Sequence, residues 1–314
     1  MENYKEKYLK YKQKYKQLKN QKGGNNENEL IKKHLQLFTY VNNEGFNKRN
    51  WEVYKQVYDK DIIIRASDGS VFKGVEKTIK DMKQLVTSIP DMMVTSQPIN
   101  FGAKDWTVSS QKFSGSKSVM NLCSICQWKD NKVIQKYIFW QFENNSMVCS
   151  KVVREVNDVN KGVIIKSDDH VVNQNLNNIN TINFEGFNKR NWNLARKYFD
   201  NNIITTFANG MQVKGVDANE NIMKESLIWA PDSQITEHKI LFGSGDWTCT
   251  NMYICGTFTK PMVDPDGSVT QPNGKKYNTN HCALQKWKNN KILEVHVFMN
   301  MADMMSQLDL IKCL

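Results

Sequence analysis

The octapeptide EGFNKRNW at Glu44–Trp51 returns letter for letter at Glu185–Trp192, 141 residues later. Outward from it, the same offset carries Lys73-Gly74-Val75 onto Lys214-Gly215-Val216 and Pro90-Asp91 onto Pro231-Asp232. It also carries Phe101-Gly102 onto Phe242-Gly243, Asp105-Trp106-Thr107 onto Asp246-Trp247-Thr248, and Gly115 onto Gly256. Beyond that glycine the offset becomes 159, matching Trp128 with Trp287 and Asn131-Lys132 with Asn290-Lys291. The second copy therefore holds 18 more residues, around Lys260–Asn278. Chance does not keep one register over such a distance, so the chain reads as an internal duplication.

Each copy follows one plan. An apolar-periodic helix (about 29–41, then 170–182) precedes a second helix, with Asn50 or Asn191 placed to cap it before Trp51 or Trp192. A short strand follows (Ile62–Ala66, Ile203–Phe207), then a turn with Gly69 or Gly210. A third helix runs from near Gly74 or Gly215 to the proline at 90 or 231. The rest alternates like strands, near 93–101, 106–114, 119–128 and 132–142 in the first copy. Helices first and antiparallel strands afterwards is an α+β pattern. The expected domains are residues 28–143 and 170–314, joined by a linker over 144–169 and preceded by a lysine- and tyrosine-rich segment over 1–24. Val163-Ile164-Ile165 gives the linker something to pack.

The 314 residues suffice for two ordinary cores, and 40% apolar residues describe a globular chain. No apolar run reaches the ~18 residues of a membrane span, and the basic N-terminus lacks a secretory apolar stretch, so the protein is not expected to be secreted. The net charge of +11 suggests a nucleic-acid partner until it is located. Residues 1–22 hold eight lysines and two glutamates, which is +6 of the +11. With 38 lysines and 37 asparagines against five arginines, the charge looks like AT-rich coding bias. Base-edge readout favours arginine, so no specific nucleic acid is expected. The seven cysteines are odd in number and irregularly spaced, which points to free thiols. On a strand, Cys123 and Cys126 point to opposite faces and have no second pair to make a tetrahedral site. No metal and no cofactor are expected.

The second copy resembles a SnoaL-like polyketide cyclase domain of the nuclear transport factor 2-like superfamily. The residues that carry the resemblance are Gly215-Val216, Pro231-Asp232, Gly245-Asp246-Trp247, Gly256-Thr257-Phe258 and Pro272-Asn273-Gly274-Lys275-Lys276. After them come KWKNNKILEVH at Lys286–His296 and NMADMMSQL at Asn300–Leu308. The first copy matches as far as Gly115, then lacks the proline-glycine hairpin and the closing-helix signature. The resemblance implies two tandem cones, each a curved antiparallel sheet closed by helices around an apolar pocket. Where the family does acid/base chemistry it commonly has a His after the Gly-Thr pair and an Asp before the closing helix. This chain has Phe258 and Asn300 there, and Lys117 and Gln141 in the first copy. An amide cannot take up a proton near neutrality, so the expectation leans toward a protein that is not an enzyme.

The segment YKEKYLKYKQKYKQLKNQKGG resembles a leader found on proteins of amoeba-infecting giant viruses of the Mimivirus group. Tyr4, Tyr8, Tyr11, Tyr15 and Leu18 fall on one helical stripe, ringed by lysines. A lone helix this short is marginal in water. It is expected either to order against a virion or a second copy, or to remain a solvated tail. The resemblance places the protein in the virion or the host cytoplasm.

On the last strand of the second copy, alternation puts Glu294, His296, Phe298 and Asn300 on one face and Leu293, Val295, Val297 and Met299 on the other. The first face is taken as the pocket wall, with Phe258 added in the second copy and Tyr137, Phe139 and Gln141 in the first. His296 with Glu294, or with Asp303 in the closing helix, forms the candidate catalytic set. The alternatives are a satisfied core histidine, a solvated strand-end glutamate and a first-turn acid at the helix dipole. Two functions follow: a non-catalytic or degraded SnoaL-like protein binding a small apolar ligand or a structural partner, or an isomerase, cyclase or hydrolase of an apolar substrate.

Overall fold

The computed structural model describes residues 27–143, 162–263 and 266–312. The tyrosine stripe, most of the expected linker and Cys149 and Cys313 lie outside the described residues.

The first half opens with helix α1 (residues 27–40), which widens into a π-helical turn at Val41–Asn47. After α2 (Glu52–Val57) come β1 (Tyr58–Ala66), β2 (Val71–Lys73), α3 (Val75–Ser88), β3 (Met93–Ser96), β4 (Asn100–Ala103), β5 (Trp106–Ser114), β6 (Val119–Lys129) and β7 (Lys132–Phe142). The strands form one sheet ordered β2-β1-β7-β6-β5-β3, with β4 also on β5. After β8 (Val163–Ile164) the second half repeats the scheme: α4 (His170–Asn180) and a π turn at Thr181–Phe187, then α5 (Trp192–Arg196), β9 (Phe199–Phe207), β10 (Gln212–Lys214) and α6 (Val216–Trp229). Then follow β11 (Gln234–Ser244), β12 (Trp247–Thr257), the small hairpin β13 (Met262–Val263) and β14 (Val269–Thr270), β15 (Lys276–Lys288), β16 (Lys291–Phe298) and α7 (Met301–Gln307). Its sheet runs β10-β9-β16-β15-β12-β11-β8. The pairs β1–β7 and β9–β16 are parallel and most others antiparallel, so the class is α+β with mixed sheets. Within the stretch read as linker, Val163 and Ile164 pair in parallel with Ile240 and Leu241, making the linker's end an edge strand.

The repeated octapeptide has a physical reason. Arg49 and Arg190 sit at positive φ, 58° and 56°, and aim their guanidinium groups back at the chain. Arg49 donates to the carbonyls of Phe46 (2.7 Å), Pro90 (2.8 Å) and Met92 (2.7 Å). Arg190 does the same to Phe187 (2.7 Å), Pro231 (2.9 Å) and Ser233 (2.6 Å). Asn47 and Asn188 pair in both directions with the backbones of Val94 and Ile235. The octapeptide thus ties the π turn to the end of the third helix. Its glycine is steric: a Cβ on Gly45 would lie 2.9 Å from the Tyr54 ring, and one on Gly186 2.9 Å from Ala195 Cβ. Of the two expected caps, Asn191 accepts from Leu194 N, whereas α2 begins at Trp51 without a side-chain cap.

The last two strands of each half meet at a two-residue turn, Asp130-Asn131 or Asn289-Asn290, with φ between 49° and 62°. Asn and Asp tolerate this geometry, which suits a tight hairpin. The repeated Trp128 and Trp287 are buried, each donating its indole N–H to a threonine on the neighbouring strand, Thr107 (2.8 Å) or Thr248 (2.9 Å).

The two sheets pack against each other through one core. Phe101, Val108, Cys123, Tyr137 and Phe139 of the first half meet Phe242, Cys249, Cys282, Leu284 and Phe298 of the second. Equivalent positions face each other: the rings of Phe101 and Phe242 are 5.7 Å apart, and the Sγ atoms of Cys123 and Cys282 3.6 Å. This is the isologous pattern of a two-fold dimer, made within one chain. The face of each sheet turned away from this core carries the helices. Cys126 points to that helical side while Cys123 stays between the sheets, as strand alternation requires.

Replacing Arg190 by Met removes a charged donor from three carbonyls and should lower stability by roughly 2–3 kcal/mol. Lys should recover less than half, because a point charge cannot span the three acceptors. The urea midpoint of the two variants is the measurement.

Candidate functional site

On its helical side the second half encloses a cavity of about 800 Å³. Its floor is the inward row of β15 and β16: Tyr277, Thr279, His281, Ala283 and Gln285 beside Val295, Val297 and Met299. Helices α4, α5 and α6 roof it with Ile179, Trp192, Ala195, Ile222 and Met223. Met211, Ile228 and Val263 are exposed lining residues and mark its mouth. Met301, Met304 and Met305 of α7 close one end, backed by a cluster of Ala230, Phe258, Tyr277 and Leu308. The wall is mostly apolar and rich in methionine, a side chain that adapts to irregular shapes. Its lining includes Glu225 but no lysine or arginine.

Several polar groups interrupt this wall. Thr205 donates to Asn219 Oδ1 at 2.7 Å, and Thr248 donates to Gln285 Oε1 at 2.8 Å. His281 Nε2 lies 2.8 Å from the Thr279 hydroxyl. Asn183, on the second π turn, reaches His238 Nε2 at 2.8 Å, and His238 Nδ1 is 2.9 Å from Asn180 Oδ1. Burial lowers both imidazoles, His238 and His281, to about 4. Near neutrality both imidazoles are therefore uncharged, and His281, the one of them that lines the cavity, is a weak base.

The predicted site residues land elsewhere, with one exception. The two-face alternation of the last strand is as expected, but the cavity face is the one with Val295, Val297 and Met299. Phe298 lies in the core between the sheets, as do Tyr137 and Phe139. His296 lies on that same side, its ring 5.9 Å from Trp247 and its Nε2 3.5 Å from Glu294. Burial lowers the His296 pKa, and the adjacent Glu294 only partly offsets this. Glu294 also pairs with Lys286 at 3.1 Å. Asn300 caps α7, accepting from Asp303 N at 3.0 Å, and Asp303 accepts from Gln307 at 2.9 Å. Phe258 packs behind α7. None of these lines the cavity. Gln141 does, reaching across from the end of β7 in the first half. The missed residues, Asn219, His281 and Gln285, lie in segments the sequence marks only as helix or strand. For His281 and Gln285 the one visible signal was an alternating polar row in β15, broken at Ala283.

The first half fills the same space with side chains. Where the second has Ala195, Phe199, Val295 and Met299, the first has Tyr54, Tyr58, Lys136 and Trp140. Tyr54 and Tyr58 are buried edge to face, and Lys136 Nζ meets Tyr58 Oη at 3.1 Å. Leu122 and Cys126 replace His281 and Gln285.

Unfolded histidines take up protons below about pH 6.5, whereas folded His238 and His281 hold out to about 4. Their contribution to stability is whole above pH ~6.5 and is lost as pH falls toward ~4. Between about pH 7.5 and 5 the loss should be on the order of 2 kcal/mol each. Thermal melts across that window should show the fall, and His281→Asn should flatten it.

Residues 178–308 match the family model described as SnoaL-like polyketide cyclase. No curated protein matches the chain. Among solved structures, the chain is similar to a protein from Jannaschia sp. CCS1 described as a SnoaL-like polyketide cyclase, at 13% identity and TM-score 0.41, covering 47% of this chain and 99% of that one. It is similar to a protein from Xanthomonas campestris pv. campestris described as a polyketide cyclase, at 14% identity and TM-score 0.39, covering 43% and 97%. A nuclear transport factor 2-like protein of unknown function from Burkholderia xenovorans LB400 gives 12% identity and TM-score 0.31, covering 35% and 84%. No helix among the described residues is long and apolar enough to cross a membrane. The second half, which the SnoaL-like model matches over residues 178–308, has an α+β fold with its cavity between the helices and the curved sheet.

Proposed function

We propose that the second half holds a small, largely apolar molecule and does not turn it over by acid/base catalysis. The observation that carries this reading is the chemistry of the cavity wall. It combines about 800 Å³ of mostly apolar space with amides, hydroxyls and one imidazole lowered to about 4, and the one carboxylate of the lining, Glu225, belongs to an exposed residue. A SnoaL-like fold supports ligand binding or cyclase-type chemistry in general, and the mostly apolar wall favours the binding reading. A working isomerase, cyclase or hydrolase would need a proton-transfer group against its substrate. His296, Glu294 and Asp303, the set on which that alternative rests, do not line the cavity. The first half, with its tyrosines and half-buried lysine, is assigned a scaffolding role that positions Gln141 at the second cavity.

Full-length protein isolated from its native source and sprayed under native conditions should carry an extra mass that disappears on denaturation. Met299→Trp, which copies the first half's Trp140, should abolish the adduct while leaving the melting temperature unchanged or raised. A bare chain mass that persists after incubation with apolar extracts would overturn the reading.

The finer assignment adds a viral structural partner, reached through residues 1–22, in the virion or host cytoplasm. It rests on the leader's resemblance and the lysine and asparagine bias. Deleting residues 1–24 should leave the melting curve unchanged and remove co-sedimentation with particles. Equal partitioning of the two forms would end it.

A further inference from the structure

We infer that the cavity recognises its ligand through a carbonyl oxygen held by the side-chain amides of Asn219 and Gln285. This rests on the cavity-binding reading above and specifies what the cavity takes.

Both amides are buried, Asn219 at 4% exposure and Gln285 at 5%, and both line the cavity. Each has its oxygen tied back into the protein, so its NH₂ remains for something else. For Gln285 the orientation is set by a relay. The Trp287 indole donates to the Thr248 hydroxyl at 2.9 Å, so Thr248 uses its own proton toward Gln285 Oε1 at 2.8 Å. Thr250 adds a second, longer contact of 3.4 Å to the same oxygen. With two hydroxyls on Oε1, the amide nitrogen faces the cavity and meets no acceptor among the described residues. For Asn219, Thr205 occupies Oδ1 at 2.7 Å and Nδ2 is a buried donor without a partner.

The two donors belong to one patch of the floor. Thr205 pairs with Val295 across β9 and β16, and Val295 pairs with Gln285 across β16 and β15. Asn219, held by Thr205, and Gln285 therefore flank Val295 from either side. An unpaired buried donor such as Asn219 Nδ2 is costly, and with the Gln285 amide on the other side of Val295 it marks this wall as a place for an acceptor.

The acceptor is an uncharged one. The lining has no lysine or arginine, and a carboxylate or phosphate brought into this wall would lose its hydration to amide dipoles alone. A ketone, ester or lactone oxygen on an apolar body meets both requirements. The first half provides an internal comparison. It keeps the relay's first step, Trp128 to Thr107 at 2.8 Å, but Cys126, Thr78 and Ile64 stand where Gln285, Asn219 and Thr205 do. The donor pair and the open cavity occur together in the second half.

The test compares two probes of one shape, 9-fluorenone and fluorene, by equilibrium dialysis against the full-length protein. Wild type should prefer fluorenone by about tenfold, and the carbonyl stretch of bound fluorenone should shift to lower wavenumber. Gln285→Leu and Asn219→Leu should each bring the fluorenone-to-fluorene ratio toward unity. Gln285→Glu, which keeps the oxygen on Thr248 and removes the NH₂, serves as the near-isosteric check should a leucine variant fail to fold. Equal affinity of wild type for the two probes, or an unshifted stretch, would overturn the donor pair and leave the apolar cavity standing. Binding of neither probe would overturn both.

Discussion

The packing of the two sheets against each other is the constraint from which the rest follows. Each sheet has two faces, and Phe101, Cys123, Phe139, Phe242, Cys282 and Phe298 commit one face of each to the shared core. Only the helical face of either sheet is left to enclose a ligand. Because the contact is built on equivalent residues, Phe101 against Phe242 and Cys123 against Cys282, it behaves as a two-fold interface whose partners are covalently joined. The joining segment contributes as well: Val163 and Ile164 extend the second sheet, and Ile165 is buried in the shared core.

With the outer architecture repeated so closely, the interiors have been free to diverge. The clamp by Arg49 or Arg190, the tryptophan-to-threonine bond and the positive-φ hairpin are the same in both halves and lie around the cavity rather than in it. Inside, a handful of exchanges separates a filled interior from an open one. Tyr54 for Ala195 and Trp140 for Met299 add ring volume, and Lys136 for Val295 adds a long side chain that stacks 5.1 Å from the Phe38 ring. Burial lowers the Lys136 pKa, with the nearby Cys126 opposing that shift. The half-buried amine in that position is met by the hydroxyl and ring faces that Tyr58 and Phe38 supply. The second half retains small and flexible residues at these points and adds α7 as a methionine-lined end wall.

The sequence by itself determined the duplication, the α+β class and the position of most elements, because these depend on local periodicity and on motifs that repeat at a fixed offset. It also determined the separation of the last strand into two faces, since side chains alternate whatever the tertiary context. Which face is inside was decided by the fold alone. Phe298 and His296 look as apolar or as functional as Val297 and Met299 until a second sheet covers one set of them. A one-residue register shift at Leu293 adds to this, bringing Ile292 rather than Leu293 to the cavity side. Asn300 gives the same lesson: in sequence it stands at a family's acid position, and in the structure its carboxamide is spent on capping a helix. Asn219 and Gln285 are 66 residues apart in the chain and come to one cavity wall only because β9, β16 and β15 lie side by side. No spacing in the chain encodes that meeting; it is set by strand order, a property of the closed sheet.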